Sequence, residues 1–205
     1  MKLSRLIAPA LLLITPTYCP VAAADPAISL QHLLTNADCE EVPNLTGTWA
    51  AKDGDLSGSW TIQPLPNNKY RLLGEGENSS DPNRPAFDLC VGHLGGYLFF
   101  DAVFQAVTAD GKKSLLSEDD TLFWLPLHLI GRLEIDRDSV RFRLLSDEWI
   151  RAEVTSGRLQ LTYTQFDEAD CLLTASTNEL KQLATRFGSD VDAFSYAESF
   201  ERQPD

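Results

Sequence analysis

Basic residues are scarce in this chain, and their scarcity excludes one large class of partner. The sequence has 17 Lys and Arg against 30 Asp and Glu, which gives a formal net charge of −13. Because nucleic acid is held mainly through Lys and Arg side chains on its phosphates, we expect no nucleic-acid partner. Acidic charge of this size keeps an exported protein soluble, or it presents an acidic surface to a basic protein partner.

The short motifs of common catalytic sites are also missing. The chain has no Gly-x-Ser-x-Gly elbow, no phosphate-binding glycine loop, no His-Glu-x-x-His pair and no dinucleotide-binding fingerprint. Of its three histidines, His32 lies near the N-terminus, while His93 and His128 have no carboxylate partner close in sequence. We interpret these imidazoles as structural and predict a protein that is not an enzyme, with no catalytic residues and no cofactor.

Sequence patterns typical of metal-binding sites are also scarce. No two cysteines have the close spacing of a zinc site. Glu118, Asp119 and Asp120 form an acidic cluster that offers oxygen ligands for calcium, but the spacing fits no EF-hand loop. We interpret the cluster as a solvated loop and predict no metal.

The N-terminus has the order of a secretory signal peptide. Lys2 and Arg5 precede an apolar run at 6–14, and small residues follow at 22–24. Cleavage after Ala24 would leave 181 residues with a net charge of −15, exported to the periplasm or secreted. A lipid anchor on Cys19 is the lesser alternative, because Pro16, Thr17 and Tyr18 before it are not all small. No later run reaches the roughly 20 apolar residues of a membrane-spanning helix.

Three cysteines remain after that cleavage: Cys39, Cys90 and Cys171. In an oxidising compartment two of them are expected to pair, and the sequence allows three pairings. We favour a bridge from Cys39, because it would tie the N-terminal extension to the wall of the folded domain.

From Asn44 onward the chain has the texture of successive antiparallel strands. Short runs of Thr, Trp, Val, Tyr, Phe and Leu alternate with Gly, Asn, Asp and Pro. We predict strands at about 45–52, 57–64, 68–75, 86–94, 97–106, 121–135 and 138–145, with a further pair in "GRLQLTYTQFD" and "CLLTA".

Two helices interrupt this pattern. Ser146 as N-cap, with acidic residues directly after it, predicts a short helix near 147–155. Ser176, with Glu179 three residues later, forms a capping box and predicts a C-terminal helix near 176–187.

The predicted fold class is mainly β: a single antiparallel barrel of about eight to nine strands with these two helices. Closure into a barrel removes both exposed sheet edges, whereas a two-sheet sandwich with the same sequence pattern is the alternative. The predicted organisation is a signal peptide at 1–24, an N-terminal extension at 25–43, the barrel domain at 44–188 and an acidic C-terminal tail at 189–205.

The stretch "LTGTWAAKDGDLSGSW" carries Gly-x-Trp twice, at 47–49 and 58–60. In the first copy Gly47 permits close approach of a neighbouring element, and the Trp49 indole can close a core and donate its N–H to a carbonyl. We assign these two residues structural roles. Trp60, in the second copy, is expected to be a core or wall residue across the hairpin.

These residues resemble the lipocalin-like, or calycin, β-barrels, in which Gly-x-Trp on the first strand opens an eight-stranded barrel followed by a helix. A closer resemblance is to a family of exported bacterial lipocalin-like proteins. Its motifs are matched in order by "LTGTW" at 45–49, "GHLGGYLFFDAV" at 92–103, "LPLHLIGRLEI" at 125–135, "LLSDEWIRA" at 144–152 and "LLTASTNELKQL" at 172–183. The resemblance implies a barrel that binds a small apolar molecule, although a fold does not fix a function.

Our leading hypothesis is therefore an exported binding protein that holds a small hydrophobic molecule in its barrel. The candidates for the interior are aromatic or histidine side chains of the later strands: Trp60, Phe99, Phe104, Trp124, His128 and Phe142. The alternative is a periplasmic protein-interaction module, of inhibitor or immunity type, that presents its acidic surface to a basic protein.

Overall fold

The computed structural model describes residues 25–54, 56–75, 84–107, 126–165 and 171–204. Several predictions from sequence fall outside these residues: the signal peptide at 1–24 with Cys19, the acidic cluster at 118–120, and Trp124. They stay predictions.

Eight antiparallel strands close into a barrel, which confirms the predicted fold class over the sandwich. Neighbouring strands pair in the order β2-β3-β4-β5-β6-β7-β8-β11, and β11 pairs again with β2. The barrel strands are β2 (Gly47–Asp53), β3 (Ser59–Leu65), β4 (Lys69–Glu75), β5 (Arg84–Leu94), β6 (Tyr97–Val107), β7 (His128–Ile135), β8 (Ser139–Leu144) and β11 (Tyr196–Arg202).

Three shorter strands extend the sheet outside the barrel wall. β1 (Ile28–Ser29) runs antiparallel to the start of β7 and parallel to β10 (Cys171–Leu173). β10 in turn pairs with β9 (Tyr163–Gln165), as expected for the last predicted strand pair.

Both predicted helices form where their caps place them. In α1 (Asp147–Thr155) the Ser146 hydroxyl accepts a hydrogen bond from the Trp149 N–H. In α2 (Thr177–Phe187) Ser176 and Glu179 form the reciprocal capping box. Side chains of both helices contribute to a core on the outside of the barrel.

The C-terminal end differs from the expected acidic tail. Residues 196–202 form β11, which lies between β8 and β2 and closes the barrel. The sequence suggests a tail here because the segment is rich in acidic residues and follows both predicted helices. Nevertheless Phe200 is buried in the interior and Phe194, just before the strand, is buried in the outer core.

The N-terminal extension forms the short strand β1 and is otherwise made of turns and irregular structure. It runs across the outside of the barrel, where Ala27, Leu33 and Leu34 are buried. A disulfide joins Cys39 to Cys90 on β5, which confirms the favoured pairing from Cys39. Cys171 is buried and is not part of this disulfide.

Candidate functional site

One end of the barrel is closed by the first Gly-x-Trp pattern. Trp49 is fully buried, and its indole N–H donates to the Leu45 carbonyl at 3.1 Å. The Arg202 guanidinium lies over the indole, 4.2 Å from the ring centre, and donates to the carbonyls of Thr46 and Asn44. This cation–π contact and these hydrogen bonds join the first strand of the barrel to the last.

Gly47 makes that closure possible. Its φ is +135°, and a Cβ at this position would lie 2.6 Å from Arg202 Nη1. A larger residue would therefore both strain the backbone and displace the guanidinium from Trp49.

The second pattern, Gly58-Ser59-Trp60, lies directly across the hairpin. Trp60 pairs with Trp49 in the strand register and donates its indole N–H to the Ser57 carbonyl at 3.0 Å. Its ring packs edge-on against Phe200 of β11. Trp60 is thus part of the inner core.

The opposite end of the barrel, which we call the mouth, is defined by Leu56, Phe87, Phe104, Leu129 and Glu198. Leu56 lies in the β2–β3 connection and Phe87 near the start of β5, while Leu129 and Glu198 lie near the starts of β7 and β11. Phe104 packs edge-on against Phe87 and is 42% exposed. The mouth therefore presents an aromatic side chain to its surroundings.

An apolar cavity of about 60 Å³ lies beneath the mouth. It is lined almost entirely by leucine, phenylalanine and alanine side chains: Leu56, Leu72, Phe87, Leu89, Phe100, Ala102, Leu129, Phe142, Leu144 and Phe200, with Glu198. Pockets that enclose a drug-sized ligand measure about 300–1,000 Å³. Most of the interior is therefore filled by side chains, and the cavity has room only for a small part of a ligand.

Among the described residues that line this cavity, Glu198 is the charged one. It is 5% exposed, and one of its carboxylate oxygens accepts a hydrogen bond from the Leu56 backbone N–H at 3.1 Å. This contact holds the β2–β3 connection over the mouth.

The structure distributes the six predicted interior residues unevenly. Trp60 and Phe142 lie in the inner core, and Phe104 shares the inward face of β6 with Phe100 and Ala102. Phe99 instead faces outward and packs against Phe194, and His128 faces outward as well. The sixth, Trp124, lies outside the described residues.

Strand alternation explains both outward placements. Because successive side chains point to opposite faces, Phe99 and Phe100 cannot both enter the barrel, and the sequence does not say which one does. Phe100, Phe87 and Phe200 are interior residues that sequence reasoning missed. Strand alternation could have identified Phe87 as an interior residue, whereas Phe200 lies in β11, a strand that the sequence did not predict.

A larger depression, of about 540 Å³, lies outside the barrel between its wall and the N-terminal extension. We call it the outer groove; its lining includes polar and titratable side chains: His32, Thr35, Asn36, Asp101, Gln105 and His128. The Cys39–Cys90 disulfide also borders it through Cys90.

Asp101 organises the outer groove. Its side chain is 4% exposed, and Oδ1 lies 2.6 Å from Nδ1 of His128. Oδ2 accepts hydrogen bonds from the backbone N–H groups of Leu33 at 2.6 Å and Leu34 at 3.1 Å. The carboxylate thus fastens the N-terminal extension to the barrel wall and fixes the His128 ring.

The extension is also held by an ion pair at Asp38. Lys181 of α2 donates to Asp38 Oδ2 at 2.6 Å, and Thr35 donates to the same oxygen through both its backbone and its hydroxyl. Burial raises the pKa of Asp38, but the hydrogen bonds from Lys181 and Thr35 outweigh it and lower the pKa to about 2.

His93 has a different setting from the other two histidines. It is exposed at the end of β5, and its Nδ1 lies 2.7 Å from Glu40 Oε2. This contact, together with the His93 backbone N–H, holds the pKa of Glu40 below its ordinary value. The carboxylate partners of His93 and His128 lie 53 and 27 residues away, which is why no local pattern reveals them.

No group of three or more His, Cys, Asp or Glu side chains within the described ranges is arranged to hold a metal ion. In the same ranges, no helix has the length and apolar character needed to cross a bilayer.

Comparison with protein-family models, with curated proteins and with solved structures found no match to this chain. The barrel itself is compatible with a calycin-like fold.

Proposed function

We propose that this is an exported, non-enzymatic lipocalin-like protein that binds a small hydrophobic molecule at the barrel mouth. The observation that carries the proposal is the apolar cavity beneath the mouth, closed at the far end by Trp49 and Arg202. The closed end at Trp49 leaves the mouth as the side from which the proposed ligand enters.

The size of the cavity sets how the ligand binds. A volume of about 60 Å³ corresponds to two groups the size of a methylene or a water molecule. Burying two methylenes contributes about 1.6 kcal/mol, which is roughly a fifteenfold gain in affinity. The cavity therefore takes the end of an acyl chain or the edge of a ring, and the remaining contacts come from Phe104, Phe87 and Leu56 at the rim.

Export is supported by the disulfide. Structural disulfides persist in oxidising compartments and are rare in the cytosol of mesophiles. The Cys39–Cys90 bridge anchors the extension that follows the predicted cleavage site at Ala24. Periplasmic or secreted localisation fits both features.

The hydrogen bonds of the Asp101–His128 pair favour a binding role over catalysis. The buried carboxylate is already used by three hydrogen bonds, two of which hold the backbone of the N-terminal extension. The Asp101 carboxylate is thus engaged in structural contacts. The alternative of a basic protein partner for the acidic surface stays a prediction.

Native mass spectrometry of the protein purified from its own source, without organic solvent, tests this proposal. We expect a mass increment from an apolar molecule that disappears after extraction with solvent. A protein that carries no ligand, and that does not bind the neutral dye N-phenyl-1-naphthylamine after extraction, would contradict the proposal. Recovery of a basic protein instead, in a low-salt pull-down, would favour the alternative.

A further inference from the structure

The outer groove brings together two histidines that are far apart in sequence. His32 lies in the N-terminal extension and His128 at the start of β7, yet their ring centres are 6.1 Å apart with the rings tilted by 52°. Within the described residues the His32 ring has no hydrogen-bond partner, and the His128 ring bonds Asp101 through Nδ1 only.

Asp101 positions both imidazoles. Its Oδ1 bonds the His128 ring directly, and its Oδ2 bonds the N–H groups of Leu33 and Leu34, which follow His32 in the chain. A carboxylate that accepts a hydrogen bond from one nitrogen of an imidazole orients the other nitrogen for metal binding and raises its basicity. For His128 that other nitrogen is Nε2.

The spacing of the rings fits one shared ion. Bonds of about 2.0–2.1 Å from the nitrogens to a metal place each ring centre about 3.2 Å from the ion, so two rings on one ion have centres up to about 6.4 Å apart. The observed 6.1 Å is within that reach.

The surroundings also suit a cation. The groove has about 540 Å³ of space beside these rings, enough for water molecules to complete the coordination. His32 and His128 both line this groove, and Asp101 lies directly behind the His128 ring. The net charge of −13 further attracts cations to the surface.

We propose that His32 and His128 bind a divalent transition-metal ion in the outer groove, with water in the remaining positions. Imidazole nitrogens suit Cu²⁺, Ni²⁺ and Zn²⁺, and Cu²⁺ binds most tightly at a site without imposed geometry. Two protein ligands make a weaker site than the three or four of a structural zinc centre. The ion is therefore exchangeable and distinct from the ligand at the mouth.

Calorimetric titration of the tag-free full chain with CuCl₂ and with ZnCl₂ tests the assignment. We expect one Cu²⁺ per chain and an affinity that falls at least tenfold in His32→Ala. This variant is the decisive one, because His32 has no side-chain hydrogen bond to lose. His93→Ala is the matched control, since His93 pairs with Glu40 on the surface, and it should leave the affinity within twofold of the wild type.

Electron paramagnetic resonance of the Cu²⁺ form supplies a second readout. We expect nitrogen couplings from two imidazoles in the wild type and from one in His32→Ala. Equal affinities for His32→Ala and the wild type would overturn the proposal. So would an equal loss in His93→Ala and His32→Ala, or the absence of a bound ion at all.

Discussion

Substitution of Ala102 by valine should stabilise the barrel and close its cavity. Ala102 is 4% exposed and lies on the inward face of β6, opposite Leu89 and Leu129. Valine adds two methyl groups, and the neighbouring cavity of about 60 Å³ has room for about two. Full burial of both would contribute about 1.6 kcal/mol, and imperfect packing reduces the expected gain to about 1 kcal/mol.

Differential scanning calorimetry and dye fluorescence give the two readouts for Ala102→Val. One kcal/mol raises the Tm of a domain this size by about 2–4 °C. The affinity for N-phenyl-1-naphthylamine should fall about tenfold, because the variant occupies the space for the apolar end of the dye. Ala197→Val is the control, since Ala197 pairs with Arg143 on the outer face of β11 and lines no part of the cavity.

Two results would refute this reasoning. Destabilisation of Ala102→Val by more than about 1 kcal/mol would mean that the interior is already fully packed and has no room for a methyl group. Unchanged dye affinity in a stabilised Ala102→Val would mean that the dye binds elsewhere than the mouth.

Three further predictions concern the contacts that close the fold. Arg202→Ala should lower the free energy of unfolding in urea by about 2 kcal/mol, because it removes the cation–π contact with Trp49 and hydrogen bonds from a charged donor. An unchanged urea midpoint would contradict this prediction. The double variant Cys39→Ser/Cys90→Ser should lose about 2–4 kcal/mol of unfolding free energy by the same assay, since the disulfide closes a loop with a sequence separation of 51. Equal stability of the wild type with and without reductant would contradict this prediction. The pKa of Asp38 is about 2 against an ordinary 3.8, so its ion pair stabilises the fold above about pH 4 and this stabilisation is lost as the pH falls towards 2. In unfolding measured from pH 5 to pH 2, Asp38→Asn should lose about 1 kcal/mol less stability than the wild type. Parallel stability curves for the variant and the wild type over this range would contradict the prediction.

The regular elements were predictable because their signals are local. Turn residues and strand alternation place β2 to β6 and β8 within a few residues, and hydroxyl caps place both helices. The strand predicted at 121–135 matches β7 at its end, but β7 begins only at His128. Gly47 and Trp49 were recognisable as a structural pair from their spacing alone. The physical causes of these elements act over fewer than about ten residues, so a single sequence contains them.

The remaining features depend on contacts between distant segments. Strand β11 has an inward Glu198 that breaks its apolar alternation, and the Leu56 N–H that donates to it lies 142 residues away in sequence. Strand register decides that Phe100, and not Phe99, faces the barrel interior, and the alternation of side chains alone does not fix that register. The meeting of His32, Asp101 and His128 likewise depends on where the N-terminal extension crosses the barrel wall.

The most direct test of ligand binding at the mouth is an NMR titration of the solvent-extracted, ¹⁵N-labelled protein with N-phenyl-1-naphthylamine. We predict amide shifts concentrated at Phe87, Ala102, Leu129 and Glu198, with little change at Trp49 on the closed end of the barrel. Absence of shifts at saturating dye, or shifts confined to the N-terminal extension along the outer groove, would contradict the proposed site.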